Sequence, residues 1–320
     1  MPGCASPSDA TFTAFRQNNK LYRDGAEVSR FQQNHREFGA TYGIALDPNN
    51  ESANRLSFGF RSIDDDFTTI SGHQGFRSMR EFRYLLARYD FAENDFLKVN
   101  FVNKDLRYED FNLGRHYSVE AAVSPTFLGL GSTTEFIRLR GGDGLRLGEN
   151  AFIMPSFGFS TRLASGLQNA IGSAALLYVN RHGEEHPHTT VCHLLLDGGW
   201  RMDPEAQFFA DGLSGLRGYR AHSFAGSRAI TINFEERLYL GREILQLAAP
   251  GVVAFADAGN ATYGGFGSLM RLKSDIGVGI RVGLPRTPKN LLRIDFAYAL
   301  TRDPRGRRGL LVSFSSGQAF

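Results

Sequence analysis

Apolar and polar side chains alternate along most of this chain with the period of two that a half-buried β-strand requires. Clusters of Gly, Asp, Asn and Pro punctuate the alternation at intervals suited to turns. Nine such segments, at 35–46, 54–63, 80–89, 95–103, 112–123, 134–140, 149–162, 167–181 and 188–200, precede a long glycine-bearing interruption. Five follow it, at 229–240, 251–257, 274–284, 291–300 and 309–316. Helical periodicity is nearly absent, so the pattern predicts an all-β chain of about fourteen strands.

The last five segments say what kind of β protein this is. In 229–240, Ile230, Ile232, Phe234 and Leu238 share one face while Thr231, Asn233, Glu235 and Arg237 share the other. In 274–284, Ile276, Val278, Ile280, Val282 and Leu284 oppose Asp275, Gly277, Gly279, Arg281 and Gly283. In 291–300, Leu292, Ile294, Phe296, Tyr298 and Leu300 oppose Arg293 and Asp295. A soluble sandwich also alternates. Here the polar side sets acids against bases over successive strands, and the other side is continuously branched or aromatic. A lipid-facing band around a wet lumen needs that arrangement. The expected fold is a transmembrane antiparallel β-barrel. Leu310, Val312 and Phe314 share a face of the final segment, and Phe320 continues their parity.

Composition agrees once it is read with the pattern. The chain has 320 residues with 36 glycines and 27 phenylalanines, enough for one large β-domain or two ordinary ones. A mean hydropathy of −0.26 would suit a soluble protein, but an alternating strand averages out on such a scale. No apolar run of about 18 residues is present to form a membrane helix. The net charge of +3 gives no reason to expect nucleic acid. Two cysteines, Cys4 and Cys192, make no disulfide framework. Residues 1–10 lack the basic start and apolar run of a leader, so an exported chain of this kind is expected to continue upstream of Met1.

The interruption itself is the best candidate site. It contains Gly212-Leu213-Ser214-Gly215-Leu216-Arg217-Gly218-Tyr219-Arg220 and is long enough to suggest a role beyond connection. A guanidinium folded into a lumen needs a carboxylate of matching fork geometry. Glu235 has the inward parity of its strand, and Asp257 shares parity with Val253 and Phe255, so either could meet Arg217. Gly215 and Gly218 permit a tight turn. Tyr219 can pack on the wall while its hydroxyl stays wet.

Other spellings lead nowhere chemical. His182-Gly183-Glu184-Glu185-His186 reads as an inverted zinc-protease motif, yet that chemistry needs a helix and Gly183 and Pro187 interrupt one. Gly212-Leu213-Ser214-Gly215 lacks the spacing of a nucleophile elbow. The glycines of 129–131 and 141–148 precede no helix that could receive a phosphate. Asp64-Asp65-Asp66 reads as an acidic turn between strands. Neither a catalytic constellation, a metal site nor a cofactor is expected.

Four stretches together resemble the superfamily of outer-membrane assembly factors and two-partner-secretion transporters, the bacterial surface antigen family. They are Gly215-Leu216-Arg217-Gly218-Tyr219, Asn233-Phe234-Glu235-Glu236-Arg237, Ala254-Phe255-Ala256-Asp257-Ala258-Gly259-Asn260, and the closing pattern of 275–283, 292–298 and Phe320. The match is close over 200–320 and only architectural before that. It implies a sixteen-stranded barrel in the bacterial outer membrane with five strands after the motif loop. It also implies that Arg217 pairs with Asp257 in the lumen, and that Phe314 and Phe320 act as a C-terminal insertion signal. Glu236 departs from the family, which usually has an aromatic there. Residues 1–34 are then irregular, or partial first strands and a loop; 35–320 are barrel; 201–228 are the inward loop. Implied partners are outer-membrane lipid, an unfolded β-rich polypeptide substrate, and periplasmic docking domains not visible in this chain. The implied function is insertion or secretion of protein without catalysis. A membrane barrel of a lipase-like enzyme or surface antigen that has lost its N-terminal domain is the alternative, and a diffusion porin is disfavoured because the loop would plug it.

Overall fold

A computed structural model describes residues 8–46, 51–72, 77–103, 107–128, 131–183, 187–241, 243–245, 247–284 and 291–319. Fourteen strands follow one another as an antiparallel meander, each hydrogen-bonded to its neighbours in the chain. The first half comprises β1 (Ser8–Arg23), β2 (Ala26–Ala45), β3 (Ser52–Gly72), β4 (Arg77–Glu93), β5 (His116–Ser124), β6 (Thr134–Gly142) and β7 (Ala151–Leu163). The second comprises β8 (Leu167–His182), β9 (His188–Trp200), β10 (Arg228–Tyr239), β11 (Ala249–Thr262), β12 (Lys273–Gly283), β13 (Leu291–Ala299) and β14 (Leu310–Ser316). Among the described residues β1 and β14 do not pair, so the all-β antiparallel expectation holds while the sheet ends in two free edges.

Alternation decides which face turns where. Along β10, Thr231, Asn233, Glu235, Arg237 and Tyr239 are buried, whereas Ile232, Phe234 and Leu238 are exposed. The same division runs through β12 and β13, with Asp275, Arg281 and Asp295 buried and Ile276, Val278 and Phe296 exposed. Charges therefore line the covered inner face and apolar side chains the bare outer one. This inverts a water-soluble sheet and suits a lipid-facing wall. Glu236, outward by parity, accepts a hydrogen bond from Thr190 (2.7 Å) and lies near the end of its strand, where a charge at a membrane interface costs little.

The stretch before residue 35, expected to be irregular or to hold partial first strands and a loop, contains β1 and the start of β2, paired from Ser8↔Tyr42 to Arg23↔Ala26. Polar pairs such as Gln17↔Gln33 and Asn18↔Gln32 make up its far half, so it has no hydrophobic period to detect. The segment 95–103 is no wall strand. Only Phe96–Val99 is extended, and it pairs with Glu109–Asn112 in a separate ribbon. The acidic run Asp64-Asp65-Asp66 is mid-strand in β3, opposite Glu81, Arg80 and Met79 of β4. Cys192 is a free thiol. Phe320, Cys4, Gly129 and the Glu184-Glu185-His186 part of the histidine motif lie outside the described residues.

In a meander, successive connections alternate between the two ends of the sheet. The β9–β10 connection (201–227) and the β4–β5 connection (94–115) consequently lie at opposite ends. Each brings an apolar cluster to the inner face. Leu216, Tyr219 and Phe224 pack with Ala229, Ala261 and Ala299 at one end; Val99, Val102 and Leu113 pack with Phe152, Val179 and Val191 at the other.

Candidate functional site: an arginine carried to the inner face

The β9–β10 connection returns on itself through a short ribbon, Phe208–Phe209 against Ala225–Gly226, and its tip lies on β10 and β11. Asp211 builds the tip. Its carboxylate accepts the backbone N–H groups of Leu213 (2.9 Å), Ser214 (3.2 Å) and His222, and its carbonyl accepts that of Leu216 (2.7 Å). One buried side chain thus ties both limbs of the loop, as Asp does in turns where it substitutes for backbone acceptors. Sequence reasoning missed this residue, although Asp211-Gly212 spells a turn signal.

The two motif glycines serve different ends. Gly215 has a positive φ of 103°, which disfavours any side chain. Gly218 is needed for approach: a Cβ there would lie 2.5 Å from the Cβ of Asp275 and 3.0 Å from the backbone nitrogen of Ala299. The turn reading holds for Gly215, and close packing explains Gly218.

Arg217 is 2% exposed. Its Nε donates to Asp257 Oδ2 (2.8 Å) and its Nη2 to Asp257 Oδ1 (2.7 Å), a two-pronged fork of the kind only a guanidinium makes. Its Nη1 donates to Glu235 Oε1. The guanidinium carbon also lies 3.6 Å from the ring centroid of Phe255, so a cation–π contact closes the remaining face. Asn233 Nδ2 bridges the carbonyl of Gly215 (2.6 Å) and Asp257 Oδ1 (2.8 Å), fixing loop and wall together. Parity left Glu235 and Asp257 as alternatives for Arg217 and the family resemblance implied Asp257; the guanidinium meets both. Leu216 is fully buried, and the Tyr219 hydroxyl donates to the Ser274 carbonyl (2.9 Å) while meeting Thr301 Oγ1 at 2.7 Å.

The fork belongs to a larger charged chain. Glu235 Oε2 accepts Arg237 Nε (2.7 Å), Arg281 approaches Glu235 Oε1 at 3.6 Å, and Arg281 Nη1 donates to Asp295 Oδ1 (2.6 Å). Arg293 Nε lies 3.1 Å from Asp295 Oδ2. Buried charges survive only when paired in this way. On the other wall Arg61 forks onto Glu120 (3.0 and 3.2 Å). The arrangement contains ion pairs and hydrogen bonds and no nucleophile with a base; chemically it can hold a loop in place. Phe314, expected as part of an end signal, lies on β14 with its ring 70% exposed on the outer face, away from this cluster.

Among the described residues no group of three or more His, Cys, Asp or Glu side chains is placed to bind a metal ion, and no helix is long and apolar enough to cross a membrane. Compared with protein families, residues 4–320 match the Omp85 superfamily domain. Among curated proteins no match is found.

Proposed function

Because this chain belongs to the Omp85 superfamily, whose members are outer-membrane β-barrels that insert or secrete protein, we propose that it serves a bacterial outer membrane in that way, without chemical catalysis. Its clients are unfolded β-rich polypeptides, and outer-membrane lipid covers the apolar outer face. The observation that carries this reading is the buried fork from Arg217 to Asp257 with Glu235 on its third prong. A transport barrel needs its lumen occupied by a segment that holds firmly yet can leave, and an ion-paired loop meets both demands: each partner can be rehydrated once separated. A diffusion porin is disfavoured, because a loop held across the inner face would plug it.

Depletion of the chain in its host, followed by quantitative proteomics of outer membrane and culture medium, tests the proposal. Broad loss of barrels from the membrane supports insertion. Disappearance of one or a few large β-rich proteins from the medium supports secretion. An unchanged pair of proteomes, with only solute permeability altered, refutes both.

A further inference from the structure

At the end away from the Arg217 loop, five connections of the sheet run to between five and nine residues, while the β4–β5 connection takes 22. The excess does not hang outside. Val99, Val102 and Leu113 are at most 3% exposed, packed on inward side chains of β7, β8 and β9. The tip reaches farther still. Arg237 Nη1 of β10 donates to the Val102 carbonyl (2.9 Å) and to Asn103 Oδ1 (3.2 Å), and Tyr239 of the same strand donates to that carbonyl. Beyond β14, Gln318 Nε2 donates to the Asn103 carbonyl (2.9 Å). Five strands separate β4 from β10 along the sheet, so the segment runs as a chord across the inner face rather than along its rim. Phe101 turns the tip with a positive φ of 58°, a conformation that costs a bulky side chain energy and needs the surroundings to impose it.

Arg237 is also the residue that grips Glu235, and Glu235 is the residue that grips Arg217. One carboxylate gives Oε1 to the loop entering from one end and Oε2 to the arginine that holds the segment entering from the other. We propose that residues 94–103 and 107–115 form a second plug, closing the mouth opposite the Arg217 loop, and that Glu235 couples the two so that release of the loop loosens the plug. The plug half rests on the reading of the inner face as a passage; the coupling half does not. The physical route is short. Arg217 holds one oxygen of Glu235, which leaves the other for Arg237 Nε and leaves Arg237 Nη1 aimed at Val102. Without Arg217, Glu235 Oε1 is left to Arg281, 3.6 Å away; turning toward it pulls Oε2, and the Arg237 guanidinium bound to Oε2, off the line that holds Nη1 on the Val102 carbonyl. Because coupling between sites is reciprocal, loosening the plug must also loosen the loop.

Two measurements on the full chain in lipid vesicles test this without any client protein. Hydrogen exchange should rise at least about fivefold in 99–103 for Arg217→Ala and for Glu235→Gln, and in 211–219 for Arg237→Gln. A rise confined to the element that was mutated overturns the coupling. In planar bilayers, replacing 96–112 by a six-residue Gly/Ser turn should increase the open conductance severalfold when combined with Arg217→Ala, over Arg217→Ala alone. Equal conductance overturns the plug. Should the shortened chain fail to fold, Val102→Asp, which breaks the packing of the tip and keeps the chain length, gives the same readout. A failed proteome test with these results intact would reject the transport reading and keep the coupling; the reverse would do the opposite.

Discussion

Removing the Arg217 guanidinium is the perturbation whose size can be worked most directly. Its three carboxylate contacts end on side chains that are fully buried, so Arg217→Ala strands two acids in a site closed to water. Breaking a buried pair by deleting one partner costs ~3–5 kcal/mol, and loss of the cation over Phe255 adds as much as ~2 kcal/mol in a desolvated site. Part is recovered, because Asn233 still serves Asp257 and Arg237 still serves Glu235. A net loss of about 3–4 kcal/mol shifts the docked-to-undocked ratio of the loop by roughly 100- to 1000-fold. The assay is hydrogen exchange of 210–224 in vesicles, with electrophoretic mobility before and after heating as the check that the sheet is folded. Arg217→Lys keeps the charge and loses the fork, so its effect should fall between wild type and Arg217→Ala. A charge swap, Arg217→Asp with Asp257→Arg, should not restore docking on its own, because the new carboxylate faces Glu235; adding Glu235→Gln should. If exchange of the loop in a folded Arg217→Ala protein stays within threefold of wild type, the ion pairs do not hold the loop and the argument fails.

Other expectations follow from single contacts. Tyr219→Phe removes the donor to Ser274 and the partner of Thr301 and should lower thermal stability by about 1–2 kcal/mol, read as an earlier heat-induced mobility shift; an unchanged shift would show that water replaces the hydroxyl. Gly218→Ala should hinder insertion of the loop against β12, because its Cβ collides with Asp275 and the backbone of Ala299, and Gly215→Ala should strain the turn itself through its φ of 103°; cysteine labelling of the loop should rise in both, and unchanged labelling in either refutes the role given to that glycine. Asp211→Ala should free both limbs of the loop and raise its proteolytic sensitivity, while Asp211→Asn, which keeps one oxygen for Leu213 and Ser214 but turns an amide donor toward the His222 N–H, should give an intermediate sensitivity; equal protection of all three proteins would refute the role. In the β13–β14 connection, burial pushes the Asp303 carboxyl up, but the backbone N–H and guanidinium of Arg307 and the N–H of Arg305 outweigh it and hold the carboxyl below its ordinary value. Its stabilisation is therefore fully present above the unfolded value near ~4 and is lost as pH falls through the lower folded one. Exchange of 303–307, corrected for its intrinsic rate, should stay flat from neutral pH down to about 4 and rise below; a rise already at neutral pH would contradict the sign.

How far the sequence discloses the molecule depends on where each residue stands relative to lipid. Ile232, Phe234 and Leu238 face outward and Thr231, Glu235 and Arg237 are buried on the inner face, so β10 was legible except at Ile230, which has outward parity and is buried. β1 was not, because Gln17, Asn18 and Lys20 face Gln33, Gln32 and Arg30 in β2 and neither side carries a stripe. In 95–103 the alternation is real but marks Val99 and Val102 turning into the interior, which has the same spelling as a wall strand. Arg217 and Asp257 could be matched through the family pattern. The double use of Glu235 could not, since parity gives direction and says nothing of reach. Asp211 acts on backbone groups, which leave no trace in composition.

The unequal lengths of the strands have a mechanical consequence. β2 and β3 run for 20 and 21 residues, whereas a tilted strand crosses a bilayer in about 9–11. Outward positions turn from Phe38, Tyr42 and Ile44 to Arg36, and from Phe58 and Phe60 to Asp64 and Asp66, so the upper half of each strand stands clear of lipid as a stiff parapet. That parapet is bolted to the root of the Arg217 loop. Arg80 of β4 forks onto Glu205 (2.5 and 2.8 Å), and the backbone N–H and carbonyl of Tyr22 of β1 pair with the side-chain amide of Gln207 (2.9 and 2.8 Å). A hydrogen-bonded sheet resists bending in its plane far more than a loop does, so a sideways pull at the outer rim arrives at residues 205–207 as torque. Whatever grips that rim thereby has a lever on a latch buried deep in the wall.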